Sequence, residues 1–464
     1  MSMLQRRFLA VASLAAAVGA CGPMPLSAPT PTPVSGITVL DPEGRAVTVP
    51  PPVLTAVAAA PTDDPSDAGT FAERSEFPIA GNAKPKGYEG YSWQHFLDDA
   101  QNSVVRVALP DADERLTAWF DEWAIDVAAG RYGMSVERVP AAAAAAVVSD
   151  LAEERASNTG EGSIDLVWVA GRDLLQYRVM DGLYGPWTTY IPSLRYLDPA
   201  DDSLSKGFGV AVEGAALPWG RTALVLRHDP AAVTAPPKTW DALWAWIAAH
   251  PGRFTYPAPP DPTGSAFVRA ACTALAPDAA AFTRPVGDAA EAALAPCWAK
   301  LLDIAPSLWQ GGRRHPASAA ELDVLYEDAD VDFSMRYAAG GATTSPGGDQ
   351  GRASRTYVLD DGALTSTHFL AIPFNAPNKI GAMVLANFLL SPEAQFAKLL
   401  PENWGDLSVL SVPLIPEAWH DGFAEFAPPS GLDLTALDAH RRPEPSDGWA
   451  AAIDEGWARR VAGR

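Results

Sequence analysis

Two groupings in this 464-residue chain have residue types at spacings that could do covalent or metal chemistry. Ser203-Leu204-Ser205-Lys206 sets a hydroxyl and an amine three residues apart, as a nucleophile and its base would be set. The further boxes that accompany Ser-x-x-Lys in penicillin-binding enzymes are missing. Asp328, Asp330 and Asp332 alternate carboxylates as a calcium loop does. Phe333, however, stands where that loop turns on glycine, and Ala339 where it closes on glutamate. The sequence holds no Gly-Lys phosphate loop, no nucleophile elbow and no zinc-spaced His or Cys cluster. These residues predict neither catalysis nor a metal or cofactor.

Residues suited to reversible binding are better represented. Trp219, between Pro218 and Gly220, could offer an aromatic plate to a flat or cationic ligand, or could pack between two lobes. Trp168 and Arg172 flank a turn at Gly171 at the carboxyl end of a strand, where open α/β sheets hold ligands; core filling is the other reading for Trp168. Thr263, Gly264 and Ser265 offer hydroxyls and amides at a helix start, either as a ligand site or as a plain cap. Tyr256 and Asp261 share that strand-turn-helix unit. Tyr337 follows a strand over 331–335 and is expected to face a glycine-rich loop over 340–351. Ser366 and His368 precede a return strand, and a lone histidine there also suits a structural role.

The elements that must position these groups follow from periodicity. Strands are predicted over 104–109, 134–139, 164–169 and 253–258, and helices over 114–127, 141–156, from 173, and over 240–249. The β-α-β-α-β order implies an α/β chain with a mostly parallel sheet and helices on both faces. At 48 % hydrophobic residues the chain is long enough for two cores. A net charge of −22 argues against nucleic-acid binding, which needs a basic surface, and reads mainly as solvated charge.

The amino terminus carries Arg6-Arg7 and a short apolar run over 8–18, the form of a signal-peptide core. Val18-Gly19-Ala20-Cys21 resembles a bacterial lipobox, with Cys21 acylated; cleavage after Ala20 that leaves Cys21 unmodified is the alternative. With Cys21 so assigned, Cys272 and Cys297 remain as a pair suited to a disulfide in an oxidising compartment, or to two buried thiols. Eleven prolines between Pro23 and Pro65 mark an extended linker, within which 37–49 alternates like a hairpin.

Three stretches carry a family resemblance: 213–220 (EGAALPWG), 240–269, and 369–395, which ends in FLLSPEAQ. Together they resemble the extracellular solute-binding proteins of ABC importers, and most closely a subgroup of thiamine-type binding proteins. The resemblance runs from about residue 93 to the last helix. It implies a bilobed type II periplasmic-binding-protein fold with two mostly parallel sheets flanked by helices. Signal peptide 1–20 and lipid-anchored linker 21–91 would precede lobe 1 (92–222 with 356–395) and lobe 2 (223–355), braced by C-terminal helices over 396–464. It further implies an exported, lipid-anchored monomer that captures a small polar, thiamine-like solute and hands it to an ABC permease. An orphan surface lipoprotein acting as sensor or interaction module is the alternative. One departure stands out: the subgroup's Trp-Gly-Gly after the first strand is replaced here by 109–113 (LPDAD), so ligand identity does not follow from the resemblance.

Overall fold

The computed structural model describes residues 88, 90–111, 113–141, 144–338 and 351–462, with the backbone of 37–40 and 46–49. The signal segment, Cys21, most of the proline-rich linker and the loop expected to face Tyr337 lie outside the described residues. In the N-terminal unit (residues 1–62), β1 (Ile37–Leu40) pairs antiparallel with β2 (Ala46–Val49), Ile37 opposite Val49. These are the strands of the expected hairpin.

The second unit (residues 63–464) begins its sheet with β3 (Val104–Pro110), β4 (Ser135–Ala141) and β5 (Leu166–Val169), all parallel. Helices α1 (Trp93–Ala100), α2 (Glu114–Trp119), α3 (Ile125–Tyr132), α4 (Ala144–Ala156) and α5 (Leu174–Val179) alternate with them. A π-helical turn over Phe120–Ala124 joins α2 to α3. Buried Asp165 fastens this region by accepting from the amides of Arg106 (2.8 Å) and Asn378 (2.6 Å).

A short ribbon, β6 (Lys206–Gly207) with β7 (Val210–Ala211), leads into β8 (Ala216–His228). Then come α6 (Trp240–Ala249), α7 (Pro262–Leu275), α8 (Ala290–Ile304), α9 (Ala319–Glu327), β9 (Phe333–Ala338), β10 (Arg355–Tyr357) and β11 (Ala363–Ala371). The chain closes with α10 (Lys379–Leu389), α11 (Pro392–Leu399), α12 (His420–Glu425), α13 (Leu434–His440), β12 (Arg441–Pro443) and α14 (Asp447–Arg460). Ser391 caps α11 as its sequence implies, accepting from Ala394 N at 3.3 Å.

The main strands form one mixed sheet in the order β10-β8-β11-β5-β3-β4, with β9 on β8 and β12 on β11, rather than two separate mostly parallel sheets. The reason is length. At 13 residues, about 43 Å extended, β8 reaches through both cores. Ala216, Leu217 and Trp219 belong to the first core, Leu224 and Leu226 to the second. Antiparallel β11 does the same, with Phe369–Ala371 in the first core and Leu364 in the second.

Tyr357, Leu359 and Leu364, assigned to lobe 1 by sequence, pack in the second core, and so do Trp449, Ile453, Trp457 and Val461 of the C-terminal segment. Trp404 and Val409 join the first core. The strand expected over 253–258 is absent: the backbone there is irregular, its carbonyls taken by Trp309 N (2.9 Å, from Phe254) and Asp332 N (2.9 Å, from Arg253) instead of a ladder. The disulfide does form. Cys272 of α7 and Cys297 of α8 are bonded inside the second core, 25 residues apart.

Candidate functional site

The site is the sheet face where the two cores meet. Directly opposed residues of neighbouring strands point to the same side. Ser366 of β11 lies opposite Thr222 of β8, and Leu224, two residues on from Thr222, lies opposite Tyr337 of β9. Thr222, Tyr337, Ser366 and His368 therefore share one face. The ring of Trp168, on β5, packs on His368 with centroids 5.4 Å apart.

From the second-core side, α7 delivers its first turns onto this face. Asp261 is its N-cap, its Oδ1 accepting from Thr263 N (2.9 Å) and Gly264 N (3.1 Å). The amides expected to be open at 263–265 are thus engaged, and Ser265 N bonds the Asp261 carbonyl. Gly264 is a packing position: an added Cβ would collide with the carbonyl of Pro257. Thr263 Oγ1 accepts from Tyr337 N at 3.2 Å. Ser265 Oγ is buried without a partner.

One turn further along, the Arg269 guanidinium enters the junction. It holds Glu444 through two bonds, Nε–Oε2 at 2.7 Å and Nη2–Oε1 at 2.9 Å, and both side chains are almost fully buried. The rings of Phe208 (5.5 Å) and Tyr337 (5.8 Å) flank it. Burial disfavours its charge, and the Glu444 carboxylate more than offsets that, keeping Arg269 above its ordinary pKa. Burial pushes the Tyr337 phenol up strongly, with Glu444 adding to the rise. Glu444 and Thr222 both influence that phenol, yet its oxygen makes no hydrogen bond of ordinary geometry.

The opposite bank comes from the turn after β5. Gly171 is needed there, since a Cβ would stand 2.6 Å from Ser366 Oγ and 2.8 Å from the Thr367 carbonyl. Arg172 is half-exposed and reaches to α14, with Nε 3.6 Å from Asp447 and Nη1 3.4 Å from Asp454. Asp454 Oδ1 is buried and unpartnered, as are Trp168 Nε1, Tyr337 Oη and His368 Nδ1. Buried polar groups normally find partners; five atoms without one, counting Ser265 Oγ, lie around this junction.

The remaining candidates lie buried within the cores and strands. Trp219 is fully buried in a stack with Trp119 (6.1 Å) and Trp404 (5.4 Å), not an open plate, because β8 runs there through the first core. Its carbonyl accepts from Gln395 Nε2 at 2.8 Å. Tyr256 lies in the second core, stacked on Phe267, its hydroxyl accepting from Trp457 Nε1 at 3.1 Å. Ser366 and His368 sit inside β11 rather than before it. Beside them lies a buried charge cluster: Lys398 Nζ is 2.5 Å from Asp406 Oδ2, and His368 Nε2 is 3.2 Å from the same oxygen.

The two catalytic-looking patterns dissolve. Ser203 Oγ donates to Asp201 at 2.6 Å, while Lys206 is exposed and 3.4 Å from Asp202. Asp332 is bound by Arg253 and Arg352, and among the described residues no group of three or more His, Cys, Asp or Glu could hold a metal. In the divergent loop over 109–113, Asp111 pairs with Arg138, and Asp113 caps α2 and accepts from Trp404 Nε1 at 2.9 Å. Sequence reasoning missed Phe208, Arg269, Glu444, Asp447 and Asp454. One signal was present: Arg269 is the lone charge in the apolar run 266–272 (AFVRAAC).

Residues 123–409 match the bacterial extracellular solute-binding protein family. Protein YnjB of Escherichia coli is 33 % identical over 372 residues, spanning 79 % of this chain and 93 % of that one. An extracellular solute-binding protein from Bordetella parapertussis, described as putative, superposes with a TM-score of 0.58 at 14 % identity over 77 % of this chain and 99 % of that one. The TpPotD lipoprotein of Treponema pallidum superposes at 0.56 with 15 % identity over 78 % and 100 %. At such identities these two likenesses bear on the fold. Among the described residues no helix is long and apolar enough to cross a membrane.

Proposed function

We propose that this chain, which belongs to the bacterial extracellular solute-binding protein family, captures a small polar cation at the junction of its two cores and delivers it to an ABC permease. One observation carries the reading. Unpartnered polar atoms of Trp168, Ser265, Tyr337 and Asp454 gather on a face whose rings are Trp168, Phe208 and Tyr337 and whose acids are Glu444, Asp447 and Asp454. Three carboxylates against two arginines, beside aromatic faces, suit a positive and partly flat solute, the chemistry of a thiamine-like molecule.

In this reading the solute meets Trp168, Ser265 and Tyr337 directly, and Arg172 draws the first core towards α14 over it. Differential contacts between closed and open forms are what let a ligand shift the balance. Lobe 1 would comprise about 92–222 with 365–409, and lobe 2 about 223–364 with 444–462. Acylation at Cys21 would tether the protein at the cell surface, and the intact mass of the exported protein tests that directly. Thermal-shift screening with thiamine, its phosphates, polyamines and neutral sugars tests the solute class, and small-angle scattering tests closure. Cations should raise the midpoint and compact the protein; a sugar that does both while no cation does would overturn the reading.

A further inference from the structure

Arg269 and Glu444 meet in the geometry by which a guanidinium recognises an external carboxylate or phosphate: two parallel bonds of 2.7 and 2.9 Å from a planar fork. The rings of Phe208 and Tyr337 lie 5.5 and 5.8 Å from the Arg269 Cζ, and that side chain is buried. Glu444 does not reach it by chance of rotamer. Its backbone is fixed by β12, whose Pro443 lies opposite Thr365 of β11, so Glu444 enters the junction next to Ser366. Asp447 N then bonds the Phe208 carbonyl at 3.0 Å and holds the segment from its other end. The second arginine, Arg172, likewise faces carboxylates, Asp447 and Asp454.

We infer that Glu444 is a specificity-determining residue: its carboxylate occupies the anion-holding edge of Arg269 and bars anionic solutes from the junction. An incoming phosphate or carboxylate would have to displace Glu444 and leave two like charges in one dry site, which each disfavours. The inference rests on the reading of this junction as the solute site, and deepens it by naming what the site refuses.

Reciprocal charge removal tests it. Inorganic phosphate and guanidinium ion are titrated calorimetrically into wild type, E444Q and R269Q, with circular dichroism establishing which variants are folded. E444Q should bind phosphate about tenfold tighter than wild type or better, and R269Q should gain at least as much for guanidinium, the equivalent of about 1.4 kcal/mol. A purely structural ion pair would lower the stability of both variants and give neither gain. A folded E444Q with no gain, or a wild type that binds phosphate as well as E444Q does, overturns the inference. Should E444Q not fold, E444M, which removes the same carboxylate and keeps most of its volume, decides by the same phosphate criterion. Failure of the solute-capture reading looks different: wild type then closes on no cation, while the phosphate gain of E444Q still appears.

Discussion

Replacing Lys398 by methionine isolates the buried charge cluster against the crossing strands. Lys398 and Asp406 are both fully buried, their charged atoms 2.5 Å apart, and Lys398 also donates to the Leu407 carbonyl at 2.9 Å. Burial pushes the Lys398 ammonium down despite its partner. Burial would raise the Asp406 carboxyl, but Lys398 and then His368 outweigh it and hold it below its usual range. Methionine fills most of the lysine volume, so the cavity contribution is small. What remains is a buried carboxylate with only His368 beside it, and breaking such a pair costs about 3–5 kcal/mol. The pH dependence gives a sharper check. In wild type the Asp406 contribution is present above the unfolded carboxyl pKa and is lost as pH falls through the depressed folded value. Without Lys398 only His368 opposes burial, so the folded pKa is expected to rise above the unfolded one, with the penalty full at high pH and fading on acidification. The penalty of K398M should therefore shrink between pH 7 and pH 5, by at most about 2.7 kcal/mol. Urea unfolding of wild type, K398M and K398M/D406N at both pH values measures this. A penalty under about 1 kcal/mol at pH 7, equal penalties at the two pH values, or a double variant no more stable than K398M would refute the reasoning.

Three further outcomes follow from the same structure. Thiol labelling of denatured, unreduced protein should find neither Cys272 nor Cys297 free, and C272S/C297S should lose about 3.5 kcal/mol for a 25-residue closure in the chain-entropy model. Trp219→Ala should destabilise by about 3–5 kcal/mol as a core deletion, whereas Trp168→Phe should leave unfolding nearly unchanged and weaken cation binding by about 1 kcal/mol, as paired unfolding and calorimetry would show. Burial works against the Asp332 charge, but Arg253 and Arg352 together hold its carboxyl below the usual range. Its contribution is thus present above the unfolded carboxyl pKa and lost as pH falls through the lower folded value. An acid titration of the unfolding midpoint should be flatter in D332N, and an unchanged slope would contradict this.

What the sequence disclosed was local. Ile380, Met383, Val384 and Phe388 fall at helical spacing, and Ser391 precedes Pro392 and Glu393 as a cap would; both signals are properties of adjacent residues, and α10 and α11 stand there. Asp261 rather than 263–265 capping α7 is a slip of two residues that reversed the meaning of Gly264, from an open amide to a packed contact. Trp219 shows the deeper limit. A tryptophan between proline and glycine reads equally as a ligand plate or as filling, and only the distant Trp119 and Trp404 resolve it. Glu444 was out of reach for the same reason: its place depends on three residues of β12 docking on β11, a pairing that carries no periodic signal. Arg269, a charge inside an apolar helix face, needed such a partner and announced it without naming it.

The stretch from β12 through α14 stitches the sheet to the second core, and it follows in the chain the elements it joins. Synthesis runs from the amino end, so this seam arrives after them. Until residues 441–461 emerge, Arg269 has no counter-ion, the Tyr256 hydroxyl lacks its Trp457 partner, and Phe282 lacks the ring of Trp449. The order of maturation is thereby written into chain order: a polypeptide stopped before residue 441 presents an unfinished junction between the two cores.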